Sequence, residues 1–370
     1  MPAPTEPDVL FLTDGGQDAN VAADRIVAFI EAAQRTIELA IYDAHFELDT
    51  DPKAPKRPDA SHLTGRILGA LETAEKRGVG VRAIYNDDDG PGPFPNAEPL
   101  AGPSFLQRLG QSVPSRGIDG RWDLMHHKYV VRDADDPSSA GVLTGSTNWT
   151  TDSFTRMENA ILTIPGMALA QTYRKDFEQL WPRRNVENSG KIDDPANDLT
   201  YAGEPISVRA WFSPGRGPKM SQLIARRIGE ARTRIRICSP VLTSTPILGT
   251  VAEVLNDGKV DTLLTVDGSQ MHQVLDQWRA DGRAAWKAPL FEHVRASAKL
   301  AEKHSTPYGR GTLHDFMHAK IVVADDWVLT GSFNCSHSGE QNAENLVEIR
   351  SRALADRFAA FAEGVYTRYR

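Results

Sequence analysis

Two stretches of the chain decide the fold: MHHKYVVRDADDPSSAGVLTGSTN at residues 125–148 and MHAKIVVADDWVLTGSFN at residues 317–334. Each contains a histidine, a lysine two positions later, an aspartate seven positions after the histidine, and a Gly-Ser-x-Asn segment. A glutamate follows each asparagine at a distance of ten residues. The shared positions are His126, Lys128, Asp133, Gly145, Ser146, Asn148 and Glu158 in the first copy, and His318, Lys320, Asp325, Gly331, Ser332, Asn334 and Glu344 in the second. The chain is therefore an internal duplication.

The spacing of each histidine and lysine predicts that the two side chains point the same way. Residues two apart on a β-strand project to one face, so His126 is expected to lie beside Lys128, and His318 beside Lys320. The apolar residues that follow are typical of a buried strand. Two equal sets in two homologous halves predict a pseudo-two-fold arrangement that brings both sets to one interface.

The segments around the two stretches repeat the same order of strands and helices. The matching pairs are 9–16 with 208–215, 21–33 with 219–231, 36–44 with 234–242, 63–77 with 247–255, 79–85 with 260–266, and a helical stretch at 104–109 with one at 290–302. Alternating β and α elements predict an α/β fold with mixed or parallel β-sheets covered by helices on both faces. The polar segment 183–205 is the predicted connection, which gives domains at 1–197 and 198–370.

Length and composition narrow the class of protein. A chain of 370 residues exceeds what one hydrophobic core usually organises, and its net charge of −7 argues against a generally basic nucleic-acid coat. The two cysteines exclude a disulfide framework, and no apolar run is long enough to span a bilayer. Without a visible signal peptide a cytoplasmic location is expected, and secretion stays open if the N-terminus has been trimmed.

Two histidines, two lysines and two asparagines that face one another suit the cleavage of a phosphodiester. One histidine would attack phosphorus, the other would protonate the departing alcohol, and the lysine and asparagine side chains would hold the non-bridging oxygens. Ser146 and Ser332 are further candidates for substrate binding. Glu158 and Glu344 are expected to accept the second ring N–H of the histidines. Asp133 and Asp325, also candidates for the catalytic set, are expected to brace lysine or backbone groups. No metal or cofactor is required.

These residues resemble the phospholipase D superfamily, whose HxKxxxxD motif followed by GSxN occurs here twice and completely. The resemblance covers essentially the whole chain. It implies two α/β/α sandwich domains, a covalent phosphohistidine intermediate and turnover without metal. It also implies that His126 is the nucleophile and His318 the general acid.

The sequence leaves the substrate open. The first hypothesis is hydrolysis of phospholipid headgroups, with possible transfer to another alcohol, at a membrane surface or micelle; the acidic run at residues 87–89 would attract a cationic headgroup. The alternative is a nuclease, although basic clusters are sparse and Arg226 with Arg227 fits a charged helix face. A catalytically silent scaffold is disfavoured because neither motif is degraded. A monomer with a pseudo-dimeric site is expected.

Overall fold

Each half of the chain folds around one mixed β-sheet. The computed structural model describes residues 5–46, 60–87, 105–297, 299–307 and 314–370. The strands of the first half are β1 (Asp8–Leu12), β2 (Thr36–Ile41), β3 (Ala44–His45), β4 (Gly80–Asp87), β5 (Ser115–Asp119), β6 (Lys128–Arg132), β7 (Gly141–Gly145), β8 (Trp149–Thr150) and β9 (Asn159–Pro165). The strands of the second half are β10 (Asn197–Tyr201), β11 (Glu204–Ser213), β12 (Arg234–Ser239), β13 (Asp261–Asp267), β14 (Lys299–Lys303), β15 (Ile321–Ala324), β16 (Trp327–Gly331) and β17 (Glu344–Arg350).

The strand orders of the two sheets confirm the duplication. The first sheet runs β1-β9-β7-β6-β2-β4-β5, and the second runs β10-β11-β17-β16-β15-β12-β13-β14. Apart from the additional edge strand β10, every strand of these two sheets has a counterpart at the same place in the other sheet. In both sheets the three strands at one edge are parallel and the remaining neighbours are antiparallel. A short parallel pair of β3 and β8 completes the first half.

Helices cover both faces of each sheet, as an α/β/α sandwich requires. They are α1 (Ala19–Glu31), α2 (His62–Lys76), α3 (Phe105–Ser112), α4 (Thr151–Thr155), α5 (Met167–Leu180), α6 (Gly217–Glu230), α7 (Thr245–Asp257), α8 (Gly268–Ala280), α9 (Lys287–Ser297), α10 (His337–Gln341) and α11 (Arg352–Tyr369). Helices α1 and α2 share one core with the first sheet, and α6 and α7 share another with the second. A third core contains α5, α11 and the inner faces of both sheets.

The two halves pack crosswise through this third core. Phe11 of β1 meets Phe358 of α11 edge-on with ring centroids 5.0 Å apart, and Tyr173 of α5 meets Phe212 of β11 edge-on at the same distance. A strand of each half therefore rests on the closing helix of the other. This exchange is the packing that a pseudo-two-fold axis produces.

The aspartate of each motif fixes the turn that follows its strand. Asp133 and Asp325 have positive φ angles of 50° and 51°, a region that aspartate tolerates better than most residues. The Asp133 carboxylate accepts the backbone N–H groups of residues 34–36, and the Asp325 carboxylate accepts those of residues 232–234. The predicted brace to the backbone is confirmed, and it lies at the end of the strand remote from the motif lysine.

The helix predicted at 290–302 is wrong in its second part. Helix α9 ends at Ser297, and residues 299–303 form the edge strand β14, in which Ala301 and Lys303 are buried. The sequence of β14 is KLAEK, whose charged ends resemble an exposed helix more than a strand. Strand β5 and helix α8 were also missed. The boundary expected near Asp198 falls within β10 and stays a prediction.

Candidate active site

The two motif segments lie together because each begins beside a strand of the other half. An isolated parallel bridge joins Met125 to Ala343, and a second joins Glu158 to Met317. The His126 N–H donates to the Ala343 carbonyl at 2.9 Å. The methionine before each HxK segment is thus paired with the residue that comes just before β9 or β17, the strand that follows the GSxN segment of the other half. This crossing places His126 and His318 in one site.

His126 is held by a carboxylate from the second half. Its Nδ1 lies 2.8 Å from both carboxylate oxygens of Glu344, whose side chain is fully buried. The Tyr42 ring packs edge-on against the imidazole with centroids 4.5 Å apart. An Nδ1–H donated to Glu344 leaves Nε2 as the free nitrogen. The predicted contact of Glu344 with a motif histidine is confirmed.

His318 has a different partner, and the predicted contact with Glu158 is wrong. The Nδ1 of His318 lies 3.1 Å from Oδ1 of Asn159. The Asn159 Nδ2 donates to the Ser153 carbonyl at 3.2 Å, and Ser146 donates its hydroxyl to Oδ1 at 2.7 Å. These bonds fix the amide with its oxygen toward the imidazole. The second histidine therefore faces a neutral acceptor.

Glu158 instead joins the two halves beside the site. Its carboxylate accepts from the Lys303 ammonium at 2.8 Å, from the Tyr369 hydroxyl, and from the Asp14 N–H at 3.2 Å. Both Glu158 and Lys303 have side chains that are at most 4% exposed. We refer to Asp14, Glu158, Lys303 and Tyr369 as the interdomain clasp.

A shift of one residue explains the misassignment. The N–H of Ala160 donates to Ser146 Oγ, and the N–H of Asn345 donates to Ser332 Oγ in the same way. Ala160 therefore corresponds to Asn345, and Asn159 corresponds to Glu344. Both copies read Glu-Asn, which made the equal ten-residue spacing look informative, but one additional residue before β9 moves the register by one. A shift of one on a strand sends every side chain to the opposite face.

The two lysines are buried in equivalent positions. Lys128 Nζ donates to the His126 carbonyl at 2.7 Å, and Lys320 Nζ donates to the His318 carbonyl at 2.6 Å. Burial lowers the pKa of Lys128 to about 7. Burial and the nearby Lys128 hold the pKa of Lys320 well below its usual value. A buried cationic pair of this kind gains from a bound anion.

The carboxylate and both histidines respond to the same burial. Burial raises the pKa of Glu344 to about 7. Burial lowers the pKa of His126 well below its usual value, and the positive charges of Lys128 and Lys320 lower it further. Burial and the same two lysines act on the pKa of His318 in the same direction. Without substrate, neutral imidazoles are favoured.

The GSxN segments supply two further groups. The Oδ1 atoms of Asn148 and Asn334 are buried and have no hydrogen-bond partner among the described residues. Such orphan atoms in equivalent positions are typical of a ligand site. Ser146 and Ser332 are fully buried, and their hydroxyls accept backbone N–H groups of β9 and β17. The two serines therefore orient the strands that carry the histidine partners.

A polar group that sequence reasoning missed lies near His126 and Lys128. Asp43 follows β2, and its carboxylate lies 2.7 Å from His45 Nδ1. Burial raises the pKa of Asp43, but the charges of His45, His314 and Lys128 outweigh burial and hold the pKa below its usual value. In the sequence, Asp43 is an acidic residue near the end of the strand segment 36–44. That this strand neighbours the HxK strand is known only from the structure.

Other candidates from the sequence lie elsewhere. Of the acidic run, Asp87 ends β4, and residues 88 and 89 lie outside the described residues. Arg227 donates to Glu348 and lies over the Trp327 ring, so it is part of the packing.

Where the structure describes the chain, no group of three or more His, Cys, Asp or Glu side chains could hold a metal ion. No helix in the described ranges is long and apolar enough to cross a membrane.

The duplicated α/β/α fold and the paired HxK and GSxN segments define the class of phospholipase D-like proteins. A family model described as "Cardiolipin synthase, PLD-like domain" matches residues 26–181 and 224–365. The chain belongs to this family, within the phospholipase D superfamily.

Comparisons with individual proteins agree with this membership. Two curated relatives are the mitochondrial cardiolipin hydrolases of Xenopus laevis, 28% identical over 160 residues, and of Xenopus tropicalis, 26% identical over the same length. Each match covers 43% of this chain and 61% of the relative, so the chain spans about three fifths of their length.

Solved structures share the fold over the whole chain. The phosphatidylserine synthase of Haemophilus influenzae matches with a TM-score of 0.63 and 14% identity, over 100% of this chain and 87% of that one. The polyphosphate kinase of Porphyromonas gingivalis matches with a TM-score of 0.56 and 11% identity, over 97% of this chain and 50% of that one. At these identities the likeness concerns architecture.

Proposed function

We propose that this protein hydrolyses phospholipid headgroups as a metal-independent phosphodiesterase that forms a phosphohistidine. The observation that carries the proposal is the meeting of two HxK segments in one buried site, each with its own lysine and asparagine. The Xenopus relatives are cardiolipin hydrolases, which supports a phospholipid substrate. Transfer of the phosphatidyl group to another alcohol uses the same intermediate.

The reaction proceeds in two displacements. Nε2 of His126 attacks phosphorus, an N–P bond forms, and the bond from phosphorus to the headgroup oxygen breaks. His318 is protonated when the anionic substrate is bound, and it gives its Nε2 proton to that oxygen, so the headgroup leaves as an alcohol. Neutral His318 then takes a proton from water, the resulting hydroxide attacks phosphorus, and the N–P bond breaks. Both histidines return to their starting protonation states.

Lysine and asparagine side chains stabilise the charge on the non-bridging oxygens. Lys128 and Lys320 come from opposite halves and lie close enough for Lys128 to lower the pKa of Lys320. We assign the amide N–H groups of Asn148 and Asn334 to the same oxygens. In a buried site these donors act at low dielectric and need little reorganisation during the reaction. They supply the electrostatic stabilisation that metal ions supply in other phosphoryl-transfer sites.

A parallel turnover assay tests the substrate. Choline release from phosphatidylcholine vesicles and cleavage of labelled single-stranded DNA are measured at equal enzyme, low salt and excess chelator. We expect choline release that is lost in the His126→Ala and His318→Ala variants. The control is His337→Ala, because this side chain is 69% exposed and pairs with Glu340 on α10. DNA cleavage lost in the same two variants, without choline release, would make the protein a nuclease.

Anion binding is expected to take up protons from solution. Lys128, with its pKa near 7, is mostly neutral at about pH 8 in the free site, and a bound phosphate favours its ammonium form. Titration calorimetry of inorganic phosphate in buffers of different ionisation enthalpy measures this uptake. Lys128→Arg is the matched control, because arginine stays protonated and should take up fewer protons. Proton release on binding would contradict the charge state assigned to the site.

A further inference from the structure

The two halves of the site differ at one equivalent position. Glu344 of β17 faces His126, and Asn159 of β9 faces His318. Each half also gives a lysine, an asparagine and a serine, and the first half adds Asp43, whose charge raises the pKa of His126 as Glu344 is expected to do. The single charge difference between the histidine partners therefore breaks the symmetry of the reacting groups.

This difference matters because charge changes in opposite directions on the two imidazoles. The nucleophile acquires positive charge when its Nε2 bonds to phosphorus and keeps that charge during the life of the intermediate. The general acid loses positive charge in the same step. A carboxylate on Nδ1 stabilises positive charge, so it favours the nucleophile and makes an acid weaker.

We propose that Asn159 is a positioning residue that commits His318 to the role of general acid, while Glu344 commits His126 to the role of nucleophile. The inference rests on the proposed phosphohistidine function and deepens it. The Asn159 amide holds the His318 ring through Nδ1–H and leaves Nε2 for the leaving alcohol. Because an amide carries no charge, the His318 imidazolium gives up its proton more readily than an imidazolium held by a carboxylate.

The bonds around Asn159 show that the amide orientation is specified. Oδ1 accepts from Ser146, and Nδ2 donates to the Ser153 carbonyl. The charges that lower the pKa of His318 most are those of Lys320, Lys128 and His126, and a hydrogen bond with the Ser146 backbone raises it. Substitution at residue 159 leaves all three in place, so it changes only the partner of Nδ1.

The test is Asn159→Asp, which puts a carboxylate at nearly the same place, with Asn159→Leu as the uncharged control. The rate of phosphoenzyme formation is measured for phosphatidylcholine and for phosphatidyl-p-nitrophenol. Nitrophenolate leaves without an acid, so the ratio of the two rates depends on the general acid, and the ionisation of the nucleophile cancels. This ratio falls as pH rises through the pKa of the acid. We expect the midpoint to move up by roughly 1 to 3 pH units in Asn159→Asp.

Asn159→Leu should lower the choline rate without raising the midpoint. A midpoint that stays in place in Asn159→Asp but falls in Glu344→Gln would overturn the proposal and make His126 the acid. Histidine titration by ¹⁵N NMR gives an independent reading. In the native protein the pKa of His318 should be lower than that of His126, and in Asn159→Asp the pKa of His318 should be higher than in the native protein. An unmoved His318 overturns the inference, whereas absence of turnover in the native protein overturns the proposed function.

Discussion

The His126→Ala variant is expected to lose turnover by a factor of roughly 10⁴ or more, because it removes the atom that bonds to phosphorus. Alanine at this site also leaves Glu344 without its imidazole partner. No covalent adduct should form with either phosphatidylcholine or phosphatidyl-p-nitrophenol. Acid quenching followed by peptide mass spectrometry measures the adduct directly.

The His318→Ala variant separates the two histidine roles. It should lose choline release almost as completely, because choline requires a proton to leave. With p-nitrophenolate as the leaving group, the variant should still form an adduct, and the added mass should map to the peptide that contains His126. An adduct on the His318 peptide of the native protein, or one that persists in His126→Ala, would reverse the assignment.

The second large effect is on stability and concerns the interdomain clasp. Glu158→Ala is expected to lower the free energy of unfolding by about 3 to 5 kcal/mol, because it leaves the buried Lys303 ammonium without its main partner. Asp14 lies 3.4 Å from Lys303 and replaces only part of the lost interaction. Denaturant unfolding followed by fluorescence measures the change.

The matched variant is Lys303→Met combined with Glu158→Gln, which removes both charges. It should recover much of the lost stability, because an uncompensated buried charge is absent. The catalytic rate per folded molecule should change little in both variants, since Glu158 binds Lys303 and Tyr369 and leaves Nδ1 of His318 to Asn159. A rate loss of a thousandfold at unchanged stability would return Glu158 to the catalytic set.

The duplication made much of the fold and site predictable. The recurrence of HxK at strand spacing predicted that His126 and Lys128 act together, and the repeat of elements predicted two mixed sheets of equal design. These features depend on patterns within one element or on the match between halves. Both kinds of pattern are visible in the sequence before any distance is known.

The same patterns could not predict the register of β9 relative to its counterpart β17. Glu158 and Glu344 lie at equal distances from their asparagines, yet one residue of difference before β9 sends Glu158 to the interdomain clasp. A sequence does not show where an additional residue is absorbed in a turn. The edge strand β14 was missed for another reason: its partners are distant along the chain, and its charged ends gave no apolar alternation.

The crossed contacts between the halves also bear on how such a site can diverge. In a symmetric homodimer of one half, a single codon would specify the residue facing both histidines. A residue that stabilised positive charge on the nucleophile would then equally weaken the general acid. Covalent fusion removes this constraint, because positions 159 and 344 are encoded separately. Asparagine at one and glutamate at the other give the site a direction, with phosphorus bound on one side and the alcohol released on the other.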